Sequence, residues 1–160
     1  MSTLADYIHH EHSTLRPHVE LIRVAADAVG EVPLPILRDL TNTVLGFLVR
    51  ELIPHSRQER EILYKTIEQA AHAPGSTATM DREHLEVSKL TDQLGDLHAL
   101  TVAGAELSER TVRDLRRVLY GLYAIVNLHF LKEEEIYVDV LEHRLSPVEK
   151  DVLVAALSRH

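Results

Sequence analysis

The sequence predicts an all-α protein, an up-down-up-down four-helix bundle with a short fifth helix at its C-terminus. Glycine and proline are scarce, six of each among 160 residues, and they cluster where helices should end. Apolar residues recur at alternating steps of three and four positions, which is the spacing of core-facing positions on helices packed in a bundle. These stripes include Leu48 and Ile62 in the second predicted helix and Leu119 and Ile136 in the fourth. Four long helical segments joined by short loops favour antiparallel neighbours.

Each predicted helix has recognisable end signals. Ser2 or Thr3 can cap the first helix, and Gly30 follows its end at about Val29. Pro33 or Pro35 suits the first turn of the second helix, and Ser108 can cap the fourth. The predicted helices span about residues 3–29, 34–71, 80–102 and 109–144, with a short helix that begins after a capping-box signal at residues 146–149.

Length and composition limit the classes of function. The chain is predicted to form one bundle of residues 1–145, with residues 146–160 as a short helix packed on it. A net charge of −8 argues against an electrostatic grip on nucleic acid or anionic lipid, and no apolar run approaches the length of a membrane span. The absence of cysteine excludes disulfide scaffolds, zinc ribbons and cysteine nucleophiles. Because the N-terminus lacks the basic and apolar regions of a signal peptide, we expect a cytoplasmic protein. From the net charge and the absence of a long apolar run we expect no nucleic-acid or membrane partner.

Histidine and glutamate interrupt the apolar stripes of the first four helices. Eleven histidines are an excess for a chain of this size. Six polar residues keep the register of the stripes: His12, His55, Glu59, His84, His129 and Glu133. A buried carboxylate without a partner is costly, and a buried imidazole needs partners for both nitrogens. Because histidine and glutamate four positions apart share one helix face, all six side chains can point at one object between the helices, and a metal centre satisfies them together.

The six residues belong to an internal repeat. A Glu-His dipeptide at residues 11–12 recurs at residues 83–84, and a His-x-x-x-Glu motif at residues 55–59 recurs at residues 129–133. The lone histidine precedes the motif by 43 positions in the first half and by 45 in the second. Two helical hairpins that each supply two histidines and one glutamate suit a pair of metal ions bridged by two carboxylates.

The pattern His…His-x-x-x-Glu…His…His-x-x-x-Glu resembles the hemerythrin-like family, also called the HHE cation-binding domain, over about residues 3–145. The resemblance implies a four-helix bundle around a non-haem pair of iron ions, with an oxo or hydroxo bridge between them. Carried over residue by residue, it implies four terminal histidine ligands and two bridging carboxylates. The histidines are His12, His55, His84 and His129, and the carboxylates are Glu59 and Glu133.

The sequence departs from the oxygen-carrying members of that family at two positions. The second bridging carboxylate is Glu133, whereas those carriers use an aspartate one residue further along. They also place a histidine four residues after the third-helix histidine, where this chain has Ser88. His9, a tyrosine or another carboxylate can replace that ligand, and the role is not assigned. Since each iron takes about six ligands, roughly two positions stay open or hold water, which favours turnover over reversible storage.

The expected function is chemistry on small oxygen or nitrogen-oxide species. The resemblance implies decomposition of hydrogen peroxide or detoxification of nitric oxide, with H2O2, NO or O2 as the small ligand. A rival is a carrier or sensor that binds oxygen, nitric oxide or iron without turnover. A third interpretation is a metal-free helical protein whose histidines and glutamates satisfy one another. Zinc also suits imidazole and carboxylate, so iron rests on the resemblance.

The spacing of histidine and glutamate in its motifs distinguishes this sequence from other families of metal-binding proteins. Ferritin-like bundles use Glu-x-x-His, and no histidine of this chain has a glutamate three positions before it. The zinc-protease motif His-Glu-x-x-His is also absent. The sequence therefore favours the two-histidine, one-glutamate hairpin over these alternatives.

Other residues are expected to have structural roles. Tyr64 and Tyr137 recur in both halves and should pack against the core with hydrogen-bonded hydroxyls. In the run at residues 132–135 only the first glutamate keeps the register of the stripe, so its neighbours should be solvated. Pro17 and Pro54 fall inside predicted helices, and we expect a kink or local unwinding near each.

Overall fold

The computed structural model describes residues 3–104 and 106–159, which form five helices and no β-strand. The helices are α1 (Leu4–Ala28), α2 (residues 34–71), α3 (Ala78–Ala103), α4 (residues 109–144) and α5 (Pro147–Leu157). The first four pack as a bundle in which each contacts its neighbours in the chain and α4 closes the ring against α1. The predicted all-α bundle with a short fifth helix is therefore confirmed. None of the described helices combines the length and the apolar character that a membrane span requires.

Local sequence signals set the helix ends. Thr3 forms a capping box at the start of α1, and Ser146 forms another at the start of α5. Ser108 caps α4 by accepting a hydrogen bond from a backbone N–H of the first turn. Gly30 and Gly75 both have φ of 80°, a left-handed conformation that favours glycine in the loops after α1 and α2. The alternative cap Ser2 and the last histidine, His160, lie outside the described residues.

Three π-helical segments interrupt the long helices. In α2, Leu48–Leu52 and Glu59–Leu63 separate the α-helical stretches Leu34–Phe47, Ile53–Gln58 and Tyr64–Ala71. In α4, Glu133–Tyr137 lies between Glu109–Lys132 and Val138–Arg144. At the end of each segment a backbone N–H bonds to the carbonyl five positions back, as Tyr64 does to Glu59. Two of the segments begin at Glu59 and Glu133, the glutamates of the apolar stripes, which we call the seam glutamates, and such π turns are frequent at functional sites.

The π turns change which residues face the core beyond each seam glutamate. Because each turn holds an additional residue, the position that faces the core moves from three residues after the glutamate to four or five residues after it. Tyr64 and Leu63 are buried in α2, where Ile62 is only partly buried. Val138 is buried in α4, where Ile136 is 53% exposed. The prediction that Ile136 continues the core stripe is therefore wrong, and the predicted stripe weakens at Ile62 for the same reason.

The two internal prolines affect their helices differently. Pro54 follows the π-helical segment Leu48–Leu52, so α2 is locally unwound just before it, as expected. α1 instead continues through Pro17 without a change of helix type, so the expected unwinding does not occur there. Proline leaves the carbonyl four positions earlier without a donor, and in α1 that carbonyl belongs to the exposed Ser13, where water can hydrate it.

The core consists of two apolar clusters with a polar layer between them. The larger cluster, which includes Ile22, Leu48 and Leu119, fills the half of the bundle next to the loop between α1 and α2. The smaller cluster, which includes Leu141, fills the opposite half. α5 packs against α1 and α2 and contributes Leu153 to this smaller cluster. The polar layer is therefore shielded from solvent by apolar packing on both sides.

Candidate metal centre

The polar layer is made by the six residues that interrupt the predicted stripes. α1 supplies His12, α2 supplies His55 and Glu59, α3 supplies His84, and α4 supplies His129 and Glu133. Five of the six are at most 5% exposed, and the side chain of the sixth, His55, is 14% exposed. The structure thus brings all six side chains together in the middle of the bundle.

The first group of donor atoms, subsite A, consists of His12 Nε2, His55 Nε2, Glu59 Oε1 and Glu133 Oε2. His55 Nε2 lies 2.7 Å from Glu59 Oε1, and His12 Nε2 lies 3.9 Å from the same oxygen. His12 Nε2 also lies 3.2 Å from Glu133 Oε2. Ligand atoms of the two histidines and Glu59 all fall within 4.8 Å of one another, which is close enough to surround one cation.

The second group, subsite B, consists of His84 Nε2, His129 Nε2, Glu59 Oε2 and Glu133 Oε1. The two imidazole nitrogens are 2.8 Å apart. Glu59 Oε2 lies 3.2 Å from His84 Nε2 and 3.7 Å from His129 Nε2. Glu133 Oε1 lies 3.4 Å from His129 Nε2. Subsite B therefore repeats the donor types of subsite A with histidines from the second half of the chain.

Each of the two carboxylates presents one oxygen to each subsite. Oε1 of Glu59 faces the histidines of subsite A, while its Oε2 faces those of subsite B. Glu133 does the same with its oxygens exchanged, Oε2 toward subsite A and Oε1 toward subsite B. Two cations held in this way would share both carboxylates.

Several buried donor atoms of the two subsites lack a hydrogen-bond partner. They are His55 Nε2, Glu59 Oε2 and Glu133 Oε2. Each lies within 4 Å of another donor atom, so these atoms face a common space without the alignment of a hydrogen bond. Buried polar atoms without partners are rare and costly, and imidazole nitrogen with carboxylate oxygen suits transition-metal ions. The donor set therefore fits a pair of metal cations.

The charges of the layer favour a bound cation. Burial alone would lower the pKa of His12, but the nearby carboxylates of Glu133 and Glu59 raise it to about 9. The same two carboxylates raise the pKa of His129 to about 10 against the effect of burial. Burial would raise the pKa of Glu59, whereas the charge of His55 and the nearby imidazoles of His12 and His129 hold it well below its usual range. The layer thus attracts positive charge, either as protons or as a metal ion.

Two carboxylates outside the subsites contact the far side of the imidazoles. Nδ1 of His12 lies 2.8 Å from Glu134 Oε1, and Arg16 donates to both oxygens of that carboxylate at 2.9 Å. Nδ1 of His129 lies 2.9 Å from Glu83 Oε2, and a lysine of α4 pairs with the same carboxylate. Because Nδ1 is engaged on the outside, Nε2 of each ring faces the centre of the bundle.

Neither of these outer carboxylates was expected from the sequence. Glu134 belongs to the run that should be solvated, yet its side chain is only 13% exposed. Burial would raise its pKa, but hydrogen bonds from His12 and Arg16 lower it. The prediction of a solvated face is therefore wrong at Glu134. One sequence signal was available, because Arg16 lies four residues after His12 and so shares its helix face.

The hydroxyl of Tyr64 lies at subsite B. It donates a hydrogen bond to Glu133 Oε1 at 2.8 Å and lies 3.2 Å from His84 Nε2 and 3.1 Å from His129 Nε2. Its ring is 2% exposed and stacks on His84. Burial, followed by the charges of Glu59 and Glu133, raises the pKa of the hydroxyl. Tyr64 does pack in the core with a hydrogen-bonded hydroxyl, and the partners of that hydroxyl are the candidate metal ligands themselves.

Three other residues singled out in the sequence lie away from both subsites. The hydroxyl of Tyr137 donates to a loop carbonyl, and Ser88 Oγ donates to the carbonyl of His84 one turn earlier on α3. His9 is 54% exposed and approaches only the outer carboxylate of Glu134, at 4.0 Å. The direct contacts of these three residues therefore lie outside subsites A and B.

Subsite A adjoins a small cavity. The cavity has a volume of about 20 Å³ and is bounded by His12, His55 and Glu59 together with the apolar side chains of Leu63 and Leu157. This is enough for one molecule the size of water. A surface cleft of about 530 Å³ also reaches His55. A small ligand would therefore meet subsite A before subsite B.

Comparison with known proteins agrees with this geometry. The hemerythrin HHE cation-binding domain matches residues 3–141, a range that contains all six residues of the two subsites. No curated protein and no solved structure gives a significant match. The family and the buried His–Glu group together support a metal-binding function. The chain belongs to the hemerythrin HHE cation-binding family.

Proposed function

We propose that subsites A and B bind a pair of iron ions and that the protein acts on small oxygen or nitrogen-oxide species, by hydrogen peroxide decomposition or nitric oxide detoxification. The proposed ligands are His12, His55, Glu59, His84, His129 and Glu133. The observation that carries the proposal is that each buried carboxylate presents one oxygen to each pair of imidazoles. An oxo or hydroxo bridge between the ions belongs to the same proposal.

When bound, an iron pair supplies electrons by changing oxidation state and offers exchangeable positions to H2O2, NO or O2. The chain itself positions the ligands and excludes water. Phe130 stacks on His12 with ring centroids 4.1 Å apart and covers one side of subsite A with apolar surface. The small cavity beside His55 has room for about one molecule the size of water, so it suits ligands of a few atoms.

Metal content tests the ligand assignment. Protein produced with added iron is expected to contain about two irons per chain by elemental analysis. Glu59→Gln should lose at least one of them, because an amide cannot bridge two cations as a carboxylate does. Glu135→Gln is the matched control, since Glu135 is exposed and lies on the outer face of α4. Zinc alone or no metal in the wild type would contradict the iron proposal, and full iron in Glu59→Gln would contradict the bridging assignment.

Stopped-flow mixing tests turnover on the iron-loaded protein. Catalytic loss of peroxide, or consumption of nitric oxide beyond one equivalent per site when a reductant or peroxide is supplied as co-reactant, is the expected result. A stable adduct with oxygen or nitric oxide that forms and dissociates without net consumption would instead support a carrier or sensor. The Glu59→Gln variant should show neither behaviour, because its metal pair is incomplete.

A further inference from the structure

The two subsites are alike in their imidazoles and carboxylates but differ in one oxygen atom. The Tyr64 hydroxyl lies 2.8 Å from Glu133 Oε1 and within 3.2 Å of both imidazole nitrogens of subsite B. These three atoms are themselves candidate ligand atoms. The phenol oxygen thus occupies the same small space as the donors that would surround the second cation.

The repeat places no equivalent oxygen at subsite A. Tyr64 comes five residues after Glu59, and the residue five positions after Glu133 is Val138, which is buried in the smaller apolar cluster. Tyr137 is offset by one position, and its hydroxyl bonds to a loop carbonyl. The π turn is what aligns Tyr64, because five residues in π-helical geometry return the chain to the face of Glu59.

We propose that the Tyr64 hydroxyl oxygen is an additional protein ligand of the metal ion in subsite B. The inference rests on the proposed function, because it requires a cation in that subsite. Coordination exchanges the O–H bond for a bond from oxygen to the metal, and the proton leaves to bulk water. Subsite B then has two imidazole nitrogens, two carboxylate oxygens and one phenolate oxygen from the protein.

The local charges favour loss of the Tyr64 hydroxyl proton only when a cation is present. The neighbouring carboxylates disfavour a phenolate, but a bound metal ion is the largest local charge and reverses that balance. A hard anionic oxygen favours the trivalent ion, so the ion in subsite B should be harder to reduce than the ion in subsite A. Subsite A, beside the small cavity, keeps the position open to exchange.

Visible absorption and resonance Raman spectra of the ferric protein test the proposal. A phenolate bound to ferric iron gives a charge-transfer band, and excitation in that band enhances the ring vibrations of the tyrosine. Wild-type protein and Tyr137→Phe should both show the band. Tyr64→Phe should lose it completely while elemental analysis still finds about two irons per chain. Retention of the band in Tyr64→Phe would overturn the assignment.

A labelling experiment tests tyrosine coordination in the wild-type protein, so it does not require that a variant folds. Wild-type protein made with ring-deuterated tyrosine should show the enhanced vibrations shifted to lower frequency. Iron content is measured on the same samples, which separates the two proposals. Protein that binds two irons but shows no tyrosine vibrations overturns the role of Tyr64 alone. Protein that binds no iron overturns the proposed function.

Discussion

The side chain of Glu134 decides which nitrogen of His12 faces the centre of the bundle. A neutral imidazole can carry its proton on either nitrogen, and only the other nitrogen can bind a metal. A carboxylate 2.8 Å from Nδ1 favours the proton there and leaves Nε2 for subsite A. Arg16 holds that carboxylate with two hydrogen bonds, so the orientation of the ring depends on a residue that lies two side chains away from the centre of subsite A.

Glu134→Ala should therefore lower metal affinity about 10–100-fold without changing the ligands. Glu134→Gln should retain part of the affinity, because its amide oxygen still accepts a hydrogen bond from Nδ1. Affinity can be measured by competition with a chromophoric chelator, with helix content checked by circular dichroism. Glu135→Ala serves as the exposed neighbour. Equal affinities for Glu134→Ala and Glu135→Ala would contradict the orienting role.

At the residue scale, the sequence was sufficient to predict which polar side chains of a stripe face the middle of the bundle. It was not sufficient to predict which side chains contact the imidazoles from a neighbouring helix. His12 and Glu133 stand out because polar residues on an apolar stripe require an explanation. Glu134 and Glu83 look like ordinary surface residues in the sequence, since they lie one position away from a stripe. Their contacts depend on how two helices approach each other, which helix periodicity does not encode.

At the element scale, the π turns account for the main error in the core prediction. The α-helical period describes α2 up to the π-helical segment Leu48–Leu52 and α4 up to Glu133, so Leu48 and Leu119 were placed correctly in the core. Beyond Glu133 the additional residue of the π turn rotates the following side chains to another face of the helix, so Ile136 is exposed and Val138 is buried. No residue type marks a π turn as proline marks a break, so the period alone could not reveal it.

The start of α5 offers a test of a local sequence signal. Ser146 accepts a hydrogen bond from the backbone of Glu149, whose side chain bonds back to Ser146. Ser146→Ala should lower the free energy of unfolding by about 1 kcal/mol, measured by urea denaturation. Ser13→Ala is the control, because Ser13 lies inside α1 and its hydroxyl bonds only to a carbonyl of the same helix. A loss of stability as large in Ser13→Ala would contradict the role of the cap.

At the scale of the whole molecule, a polar layer crosses the core between two apolar clusters. Buried charged groups contribute little to stability on their own, because their desolvation offsets their attraction. The layer is therefore where the two clusters are held together least firmly unless a cation is bound. The division into residues 1–145 and 146–160 stays a prediction, although α5 contributes directly to the smaller cluster.

Metal binding should consequently stabilise the entire bundle. At a free metal concentration about 100 times the dissociation constant, the free energy of unfolding should rise by about 2.7 kcal/mol for one site. Urea denaturation of iron-loaded and chelator-treated protein measures the difference. Glu59→Gln should show a much smaller difference, because it loses a ligand of both subsites. Identical curves for loaded and chelated wild type would contradict metal binding by the folded state.

Because both subsites share the two carboxylates, the site also affects how the two halves of the chain hold together. Each proposed ion takes its imidazoles from one helical hairpin and carboxylate oxygens from both. The hairpins are otherwise joined in sequence only through the loop at residues 72–77. In a chain without cysteine, the proposed metal pair would add a reversible link to the apolar contacts between the hairpins, so that a chain cut in this loop would dissociate more readily once a chelator removed the ions.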